Sequence, residues 1–310
     1  MSNSIKIRIG TRESLLAKAQ ASQVKDLLLK KIQQKDISLE VSFHFFKTTG
    51  DRLKEKNLSK IGGKGLFTKE LEDALLNNEI DIAVHSMKDV PVNHTKGLDI
   101  ISILKRSDPR DAFISSKYKS IKDLPQGSVI GTSSTRRKAL MLNLRPDLKI
   151  VNFRGNVTTR LNKIQNNEVD ATILAVSGLK RIKKEHHISS IISTRTSLPS
   201  VAQGAIGIQA RINDKEISKL VKIINDKLTA ECITAERSFL TEMNGSCHTP
   251  IASYCTYYRG RLKLMSSIVS PDGKEIYKNI FYGKNKEAKD IGIKAALDMK
   301  ENAQHIITLL

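Results

Sequence analysis

Residues that follow a predicted strand in the first half of the chain suggest proton chemistry. Asp89 lies in residues 85–91 (HSMKDVP), directly after the apolar residues 80–84. A carboxylate at the carboxyl end of a strand can face a bound substrate, so Asp89 is the first catalytic candidate. A turn aspartate before Pro91 explains the same residue without any chemistry. His85 continues the apolar strand and is predicted to be a hydrogen-bonded core residue rather than a ligand.

The second half carries arginines at predicted strand ends. Residues 131–137 (GTSSTRR) place hydroxyls and free backbone N–H groups at a helix start, followed by Arg136 and Arg137. An N-cap explains the hydroxyls, but the positive end of a helix dipole disfavours paired arginines unless an anion is present. Further cations at the same predicted edge are Arg154, Arg160, Lys180 and Arg181, and the equivalent position of the first half holds Arg12 and Ser14. This set predicts a ligand with several negative groups. Because no phosphate-binding glycine motif is present, carboxylates are favoured over a nucleotide.

The cysteines suggest a separate chemical role for one loop. Cys247 lies in residues 244–250 (NGSCHTP), where its thiol could reach a ligand, whereas Cys232 and Cys255 lie in periodic segments and are expected to act as small hydrophobes. A catalytic pair of Cys247 with His248 and a buried loop thiol both remain open. A zinc site at Cys247 and His248, or one at residues 186–187 (HH), has weak support, and no metal is predicted.

The elements that must position these residues form an internal repeat. Residues 75–84 (LLNNEIDIAV) resemble residues 164–173 (IQNNEVDATI), an offset of 89 residues. Each half alternates strands and helices: strands at 5–11, 39–46 and 80–84 and a helix at 67–76, then strands at 129–134 and 148–153 and a helix at 158–164. This alternation predicts two similar α/β domains with parallel sheets, whose ligands bind beyond the carboxyl ends of the strands.

The last third of the chain has a different pattern. A helical stretch from 212 to 243 leads into alternating segments near 251–256, 262–269 and 275–281, and a helix follows from about residue 286, which predicts a smaller α+β domain. We expect a first domain of residues 1–104 plus 200–222, a second of 105–199 and a C-terminal domain of 223–310. A hinge is expected near 105–111, with 201–209 returning to the first sheet. Glycines within 50–65 fit either a lid or a plain connection.

Composition narrows the class of protein. The chain has 310 residues, 39% of them hydrophobic, and a net charge of +20 from 52 Lys+Arg against 32 Asp+Glu. Such a charge can indicate a protein that binds nucleic acid. However, only 5% of the residues are aromatic and none is Trp, so few side chains are available to stack on the bases of a single strand. No apolar run reaches membrane-spanning length, and the first residues lack a signal-peptide pattern. We therefore expect a cytoplasmic protein with reduced thiols, without nucleic-acid or membrane partners. A noncatalytic solute-binding protein and a charge-driven nucleic-acid binder remain alternatives.

Several short motifs together resemble a known enzyme family. They are, in order, residues 9–12 (IGTR), 62–67 (GGKGLF), 83–91 (AVHSMKDVP), 108–113 (DPRDAF), 131–137 (GTSSTRR), 154–157 (RGNV), 174–181 (LAVSGLKR), 203–205 (QGA) and the Cys247 loop. Over nearly the whole chain the sequence resembles the hydroxymethylbilane synthase family, also called porphobilinogen deaminases. The loop departs from the family pattern at two places, because Ser246 stands where a second glycine is common and His248 where Gln is frequent.

The resemblance implies an architecture and a reaction. It implies two periplasmic-binding-protein-like α/β domains and a smaller C-terminal α+β domain that carries the cofactor. The cofactor would be dipyrromethane, attached through a thioether to Cys247. The enzyme would deaminate four porphobilinogen molecules, join them head to tail and release 1-hydroxymethylbilane by hydrolysis, in tetrapyrrole (haem) biosynthesis. We expect a monomer.

The resemblance also implies roles for single residues. Asp89 would handle protons and stabilise the cation left when ammonia is expelled. Lys64 and Phe67 would belong to an active-site loop and its edge, and Gln203 would lie near the domain crossover. Residues implied to hold the carboxylates of cofactor and substrate are Arg12, Ser14, Lys88, Ser133, Ser134, Arg136, Arg137, Arg154, Arg160 and Arg181.

Overall fold

The computed structural model describes residues 4–33, 38–52, 65–246 and 249–310. The chain divides into two compact units, the first Met1–Arg106 with Ala205–Ala230 and the second Ser107–Gly204 with Glu231–Leu310. The proposed three-domain boundaries remain a prediction, since this division groups the expected second and C-terminal domains in one unit.

The described elements alternate through both units. The strands are β1 Ser4–Arg12, β2 Ser38–Phe46, β3 Ile82–Ser86, β4 Leu98–Ile103, β5 Asp111–Ile114, β6 Val129–Gly131, β7 Lys149–Val151, β8 Ala171–Ala175, β9 Ser190–Ile191, β10 Ile206–Arg211, β11 Ile251–Tyr258, β12 Arg261–Val269 and β13 Ile276–Gly283. The helices are α1 Leu15–Ile32, α2 Thr49–Arg52, α3 Lys69–Leu76, α4 Thr135–Leu144, α5 Val157–Gln165, α6 Val176–Arg181, α7 Lys215–Lys222, α8 Lys227–Glu242, α9 Ala288–Asn302 and α10 Gln304–Ile307. None of these helices combines the length and apolarity that a membrane span requires.

The first unit is built on a five-stranded sheet in the order β2-β1-β3-β10-β4. Strands β1, β2 and β3 are parallel, while β10 runs antiparallel to β3 and β4. Helix α1 places Val24 and Leu28 against Ile7 and Ile9 of β1, and all four are buried. This apolar layer fixes the carboxyl ends of β1 and β3, where Arg12 and Asp89 were predicted to act.

The second unit repeats this arrangement in a sheet ordered β7-β6-β8-β5-β9. Its fourth strand, β5, runs antiparallel to both neighbours. The predicted parallel sheets are therefore mixed sheets, with one antiparallel strand in each unit. The physical reason is the end of the sheet at which β10 and β5 begin. Ala205, just before β10, accepts a hydrogen bond from the N–H of Met87, just after β3. Likewise Arg110, just before β5, accepts one from the N–H of Val176, just after β8. A strand that starts at the carboxyl end of its neighbour must run back against it.

The internal repeat predicted from residues 75–84 and 164–173 is confirmed in detail. Asn78 and Asn167 both adopt positive φ, 59° and 56°, in the turn between helix and strand. Asp81 and Asp170 then each accept a hydrogen bond from a backbone N–H of the neighbouring strand and donate their own N–H to the same residue's carbonyl. The same turn chemistry therefore sets the start of β3 and of β8.

The C-terminal part of the second unit is an antiparallel sheet, β11-β12-β13, packed under α8, α9 and α10. Phe239 of α8, Leu264 of β12 and Met299 of α9 are fully buried in its core. Cys232 and Cys255 are also buried there, as their predicted role as small hydrophobes requires. Val269, at the end of β12, is instead buried in the hydrophobic cluster between α4 and the five-stranded sheet of the second unit. The C-terminal part of this unit therefore makes apolar contacts with that sheet.

Candidate active site

The end of β1 presents a clamped arginine in the first unit. The Arg12 guanidinium donates to the Asp51 carboxylate through Nε at 3.2 Å and Nη2 at 2.5 Å, and it lies 4.4 Å above the centroid of the Phe67 ring. Burial opposes ionisation of Asp51, but hydrogen bonds from Arg12 and Thr48 outweigh it and hold the pKa of that carboxyl below its usual range. Arg12 is therefore pre-oriented by an acid that the sequence motifs did not reveal.

Two serines predicted to touch ligand carboxylates are helix N-caps. The Ser14 hydroxyl accepts the N–H of Ala17 at 3.3 Å at the start of α1, and the Ser134 hydroxyl accepts the N–H of Arg137 at 3.4 Å at the start of α4. The sequence of residues 131–137 already suggests an N-cap for its hydroxyls, whereas the capping role of Ser14 is seen only in the structure. The first turns of these helices carry partial positive charge, so the positions also suit an anion.

Asp89 ends a 3₁₀ turn, Met87–Asp89, that follows β3. The turn is closed through the backbone, with the Val90 N–H donating to the Met87 carbonyl at 3.3 Å. The Asp89 side chain is half-buried, and within the described ranges no side chain or backbone group donates a hydrogen bond to its carboxylate. Lys88 beside it is half-buried as well. The carboxylate therefore has acceptor capacity left for a ligand.

His85 is a core residue, as the sequence predicted. Its ring is 5% exposed, and Nε2 lies 2.9 Å from the Gln209 side-chain oxygen. Burial lowers the pKa of His85 to about 4, against smaller raising effects of the Gln209 hydrogen bond and the Asp89 charge. The imidazole is therefore neutral near pH 7.

A buried ion cluster lies at the start of α4 in the second unit. Asp111, 1% exposed, accepts Arg136 Nη2 at 2.8 Å and Arg137 Nη2 at 2.7 Å. The remaining Nη1 groups donate to the carbonyls of Leu198 and Ile173 at 2.7 and 2.9 Å. Although burial opposes ionisation of Asp111, the two guanidinium groups depress its pKa far below the usual range. One carboxylate thus serves both arginines.

Gln203 connects this cluster to the crossover segment. Its amide nitrogen donates to Asp111 at 2.9 Å and to the Pro109 carbonyl at 2.7 Å, and its oxygen accepts Arg137 Nη2 at 3.3 Å. The adjoining Gly204 has φ +90°, and a Cβ there would lie 2.6 Å from the Ser107 carbonyl, so glycine is required at this position.

Arg160 and Arg181 have no carboxylate partner within the described ranges. Burial, together with the nearby charges of Arg137 and Arg154, lowers the pKa of Arg160 to about 10. Burial likewise lowers the pKa of Arg181 to about 10, although one Nη2 donates to the Gly204 carbonyl at 2.7 Å. Burial of both cations, and for Arg160 the nearby charges of Arg137 and Arg154, carries a free-energy cost that an anion would relieve.

Orphaned donors test whether the residues fit a ligand rich in carboxylates. Buried Nε atoms without a hydrogen-bond partner in the described part of the chain belong to Arg136, Arg137, Arg160 and Arg181. Buried polar atoms are rarely left unpaired, and guanidinium groups pair best with carboxylates. Acetate and propionate side chains on pyrrole rings meet this requirement, so the arginine set fits dipyrromethane.

Ser133 lies at the same strand edge, but its hydroxyl already hydrogen-bonds to neighbouring residues of that edge. Its hydroxyl is 2.8 Å from the Phe153 carbonyl and 2.6 Å from Asn152 Oδ1, and it accepts the Phe153 N–H at 3.1 Å. This serine secures the segment that leads to Arg154, which is itself half-buried.

The remaining predicted residues Lys64, Cys247 and His248 lie outside the described residues, as does most of the proposed lid. On either side of the cysteine, the Ser246 N–H donates to the Thr249 hydroxyl at 2.9 Å. No group of three His, Cys, Asp or Glu side chains in the described ranges is arranged to bind a metal ion.

Taken together, these features define an α/β protein with two similar five-stranded sheets and a smaller C-terminal α+β region, in which four buried arginines keep an unpaired Nε donor within the described part of the chain. The family model described as porphobilinogen deaminase, dipyrromethane cofactor binding domain, matches residues 7–219, and that of the porphobilinogen deaminase C-terminal domain matches residues 230–301. The chain belongs to the porphobilinogen deaminase family. It is a transferase of tetrapyrrole biosynthesis with hydroxymethylbilane synthase activity, and its larger matched region binds dipyrromethane. The family resemblance found in the sequence is thereby confirmed.

Solved structures with similar folds include two bacterial binding proteins. A putative methionine-binding lipoprotein from Bacillus subtilis is 17% identical, with 70% of this chain and 88% of that chain covered and a TM-score of 0.44. A nutrient binding protein from Burkholderia cenocepacia bound to methionine is 16% identical, with 70% and 90% covered and a TM-score of 0.43. Similarity this distant says nothing about the ligand of the present chain.

Proposed function

We propose that Asp89 handles protons in the porphobilinogen transfer reaction, that the arginines bind the acidic side chains of cofactor and substrate, and that Cys247 anchors dipyrromethane through a thioether. The observation that carries the proposal is the set of buried guanidinium Nε atoms without partners, held by Arg136, Arg137, Arg160 and Arg181. Dipyrromethane, when bound, supplies a pyrrole carbon that accepts the first substrate unit.

The arginines bind and orient acidic side chains. Each porphobilinogen ring carries an acetate and a propionate, so every addition brings two carboxylates. Arg160 and Arg181 have no carboxylate partner within the described ranges, and each can offer a pair of N–H donors to an incoming carboxylate. Ser14, Ser134 and Lys88 would add donors, and Arg12 is already oriented by Asp51. Binding energy from these groups would hold successive rings in place.

Asp89 stabilises developing positive charge. Breaking the C–N bond of porphobilinogen expels ammonia and leaves a cation spread over the pyrrole ring. A carboxylate without internal hydrogen-bond donors can accept the pyrrole N–H and stabilise that cation, and it can take up the proton lost when the next bond forms. Because His85 is neutral, no imidazolium in this segment competes for the Asp89 carboxylate.

The proton-handling role is tested by Asp89→Asn. We expect a folded protein whose rate of porphobilinogen consumption falls by about 10²–10⁴-fold, because the amide cannot stabilise the cation or accept a proton. Asp99→Asn is the matched control, since Asp99 lies on β4 and pairs with the exposed His94. Turnover of Asp89→Asn close to that of Asp99→Asn would remove Asp89 from the mechanism.

The anchor is tested by intact-protein mass spectrometry of Cys247→Ser. We expect the parent protein to carry two linked pyrrole units, and Cys247→Ser to carry none and to form no 1-hydroxymethylbilane. Cys232→Ala changes a buried thiol of the C-terminal core and should keep the added mass. An unmodified Cys247 in fully active protein contradicts the thioether.

The remaining expectations concern state and partners. We propose that the protein is a cytoplasmic monomer that does not bind nucleic acid despite its charge. Single-stranded and duplex DNA should bind weakly at 150 mM salt, because contacts made only by surface lysines are lost as counterions compete. Tight binding at that salt concentration that is lost in Arg154→Gln would revive the nucleic-acid alternative.

A further inference from the structure

A chain of buried polar side chains crosses the first sheet beside the segment that carries Asp89. His85 Nε2 on β3 lies 2.9 Å from Gln209 Oε1 on β10, and Gln209 Nε2 donates to Glu72 Oε1 on α3 at 3.1 Å. The hydroxyl of Thr95 completes the chain by donating to Glu72 Oε2 at 2.8 Å. His85, Gln209 and Glu72 are 5%, 0% and 9% exposed, so these bonds are shielded from water.

The chemistry of the chain fixes its direction. An ionised carboxylate only accepts hydrogen bonds, and Glu72 accepts from both Thr95 and Gln209. The Gln209 amide must therefore turn its nitrogen toward Glu72 and its oxygen toward His85. That oxygen only accepts, so His85 Nε2 must carry the proton and Nδ1 the lone pair.

The charges that act on His85 come from elements on either side of it. Asp89 lies on the turn after β3 and favours a protonated ring, whereas Arg12 at the end of β1 opposes it. Gln209 on β10 presents a neutral oxygen, and the Glu72 charge stands one link further away. Burial dominates this balance and keeps the ring uncharged.

We propose that Glu72 and Gln209 hold His85 as the neutral Nε2–H tautomer, which leaves the Asp89 carboxylate without an imidazolium neighbour and so available to the cation formed from substrate. His85 is then a positioning residue that acts through Asp89. An imidazolium at this place would attract the carboxylate and compete with the substrate cation for it. The inference rests on the proposed role of Asp89.

The tautomer is measured directly by NMR of protein labelled with ¹⁵N-histidine, with the His85 signals assigned by their loss in His85→Gln. We expect a neutral ring protonated at Nε2 throughout pH 5.5–8. A ring protonated at Nδ1, or an imidazolium at pH 7, overturns the proposal. This readout does not depend on activity, so it is separate from the Asp89→Asn test: normal turnover in that variant would defeat the role of Asp89 whatever the state of His85.

The link to Asp89 is tested by the exchange Glu72→Gln with Gln209→Glu. The double variant keeps the net charge and the hydrogen-bonding groups of the chain but moves the carboxylate one link nearer to the imidazole. We expect the pKa of His85 to rise by at least about 1 unit. Because coupling is reciprocal, a charged His85 should shift the acid limb of the kcat/KM profile to lower pH.

The matched control is the same exchange at two exposed positions of the second unit, Gln165→Glu at the end of α5 with Glu168→Gln in the turn after it, which should move neither quantity. If the pKa of His85 rises but the acid limb of the kcat/KM profile does not move, the proposal is overturned. The hydrogen bonds among His85, Gln209 and Glu72 would then only satisfy buried polar atoms. Should the double variant not fold, Glu72→Gln alone removes the charge that orients the Gln209 amide. The Nδ1–H tautomer should then become populated, and an unchanged Nε2–H signal would contradict the proposal.

Discussion

Replacing Asp111 with Asn should cost more stability than any exposed carboxylate replacement. The Asp111 carboxylate accepts Arg136, Arg137 and Gln203 at 2.7–2.9 Å with 1% of its side chain exposed. Asn keeps the shape but leaves two buried guanidinium groups without an anion. Breaking a buried pair in this way costs about 3–5 kcal/mol. For a chain of this size we expect Tm to fall by about 6–10 °C.

The same prediction fixes how the stabilising effect of Asp111 changes with pH. The pKa of Asp111 is depressed in the folded state, so its stabilising effect is complete above the unfolded pKa of about 3.9 and is lost as pH falls toward the folded value. The Tm difference between parent and Asp111→Asn should be constant from pH 8 to 5 and should shrink below about pH 4. Thermal unfolding of both proteins, followed by circular dichroism across this range, measures it.

Asp147→Asn is the control, because Asp147 makes a two-pronged pair with Arg145 in which 25% and 26% of the Arg145 and Asp147 side chains are exposed, against 1% for Asp111. Its effect on Tm should be smaller than that of Asp111→Asn, since ion pairs within reach of solvent contribute less than fully buried ones. Adding Arg136→Met to Asp111→Asn should restore part of the lost stability by removing one unpaired charge. A loss in Asp111→Asn no larger than in Asp147→Asn would refute the assignment of Asp111 as the shared counter-ion.

Two further predictions use the same assays. Arg160→Gln, made in a cofactor-free Cys247→Ser background, should raise Tm by about 2–4 °C because it removes a buried cation beside Arg137 and Arg154. In the parent protein, the same replacement should slow elongation. An unchanged elongation rate would exclude carboxylate binding by Arg160. Gly204→Ala should destabilise the protein by about 3 kcal/mol through positive φ and a clash with the Ser107 carbonyl. Gly127→Ala has positive φ but open space and should cost about 1 kcal/mol. Equal losses in the two glycine variants would argue against the clash.

The order of strands and helices could be predicted from the sequence because it depends on local patterns. The repeat of residues 75–84 at 164–173 carries its turn chemistry with it, so Asn78 and Asn167 adopt the same positive φ. The helical stretch from 212 to 243 proved to be two helices, α7 and α8, separated by a short turn. Periodicity locates such segments but does not mark short breaks between them.

The antiparallel strands β5 and β10 could not be predicted in the same way. Strand direction depends on where the chain enters a sheet, and this is set by pairings such as Met87 with Ala205, far apart in sequence. The partners of the arginines are distant for the same reason. Asp51 lies 39 residues from Arg12 and Asp111 lies 26 residues from Arg137, so no short motif contains either pair. The sequence did contain one signal that could have pointed to the counter-ion of Arg136 and Arg137. Asp111 lies within residues 108–113, a motif that supported the family resemblance but was assigned no role.

The sequence also could not show which arginines are neutralised, and this distinction bears on recognition. Arg136 and Arg137 share Asp111, so much of their charge is already balanced before a ligand arrives. Arg160 and Arg181 have no such carboxylate within the described ranges, and burial makes their charge costly. A ligand carboxylate would therefore gain most at Arg160 and Arg181, while the Asp111 cluster holds the neighbouring scaffold rigid. Because a ligand that binds only the folded state stabilises it, the same imbalance implies that loading with dipyrromethane raises Tm, and that this gain depends on Arg160 more than on Arg136.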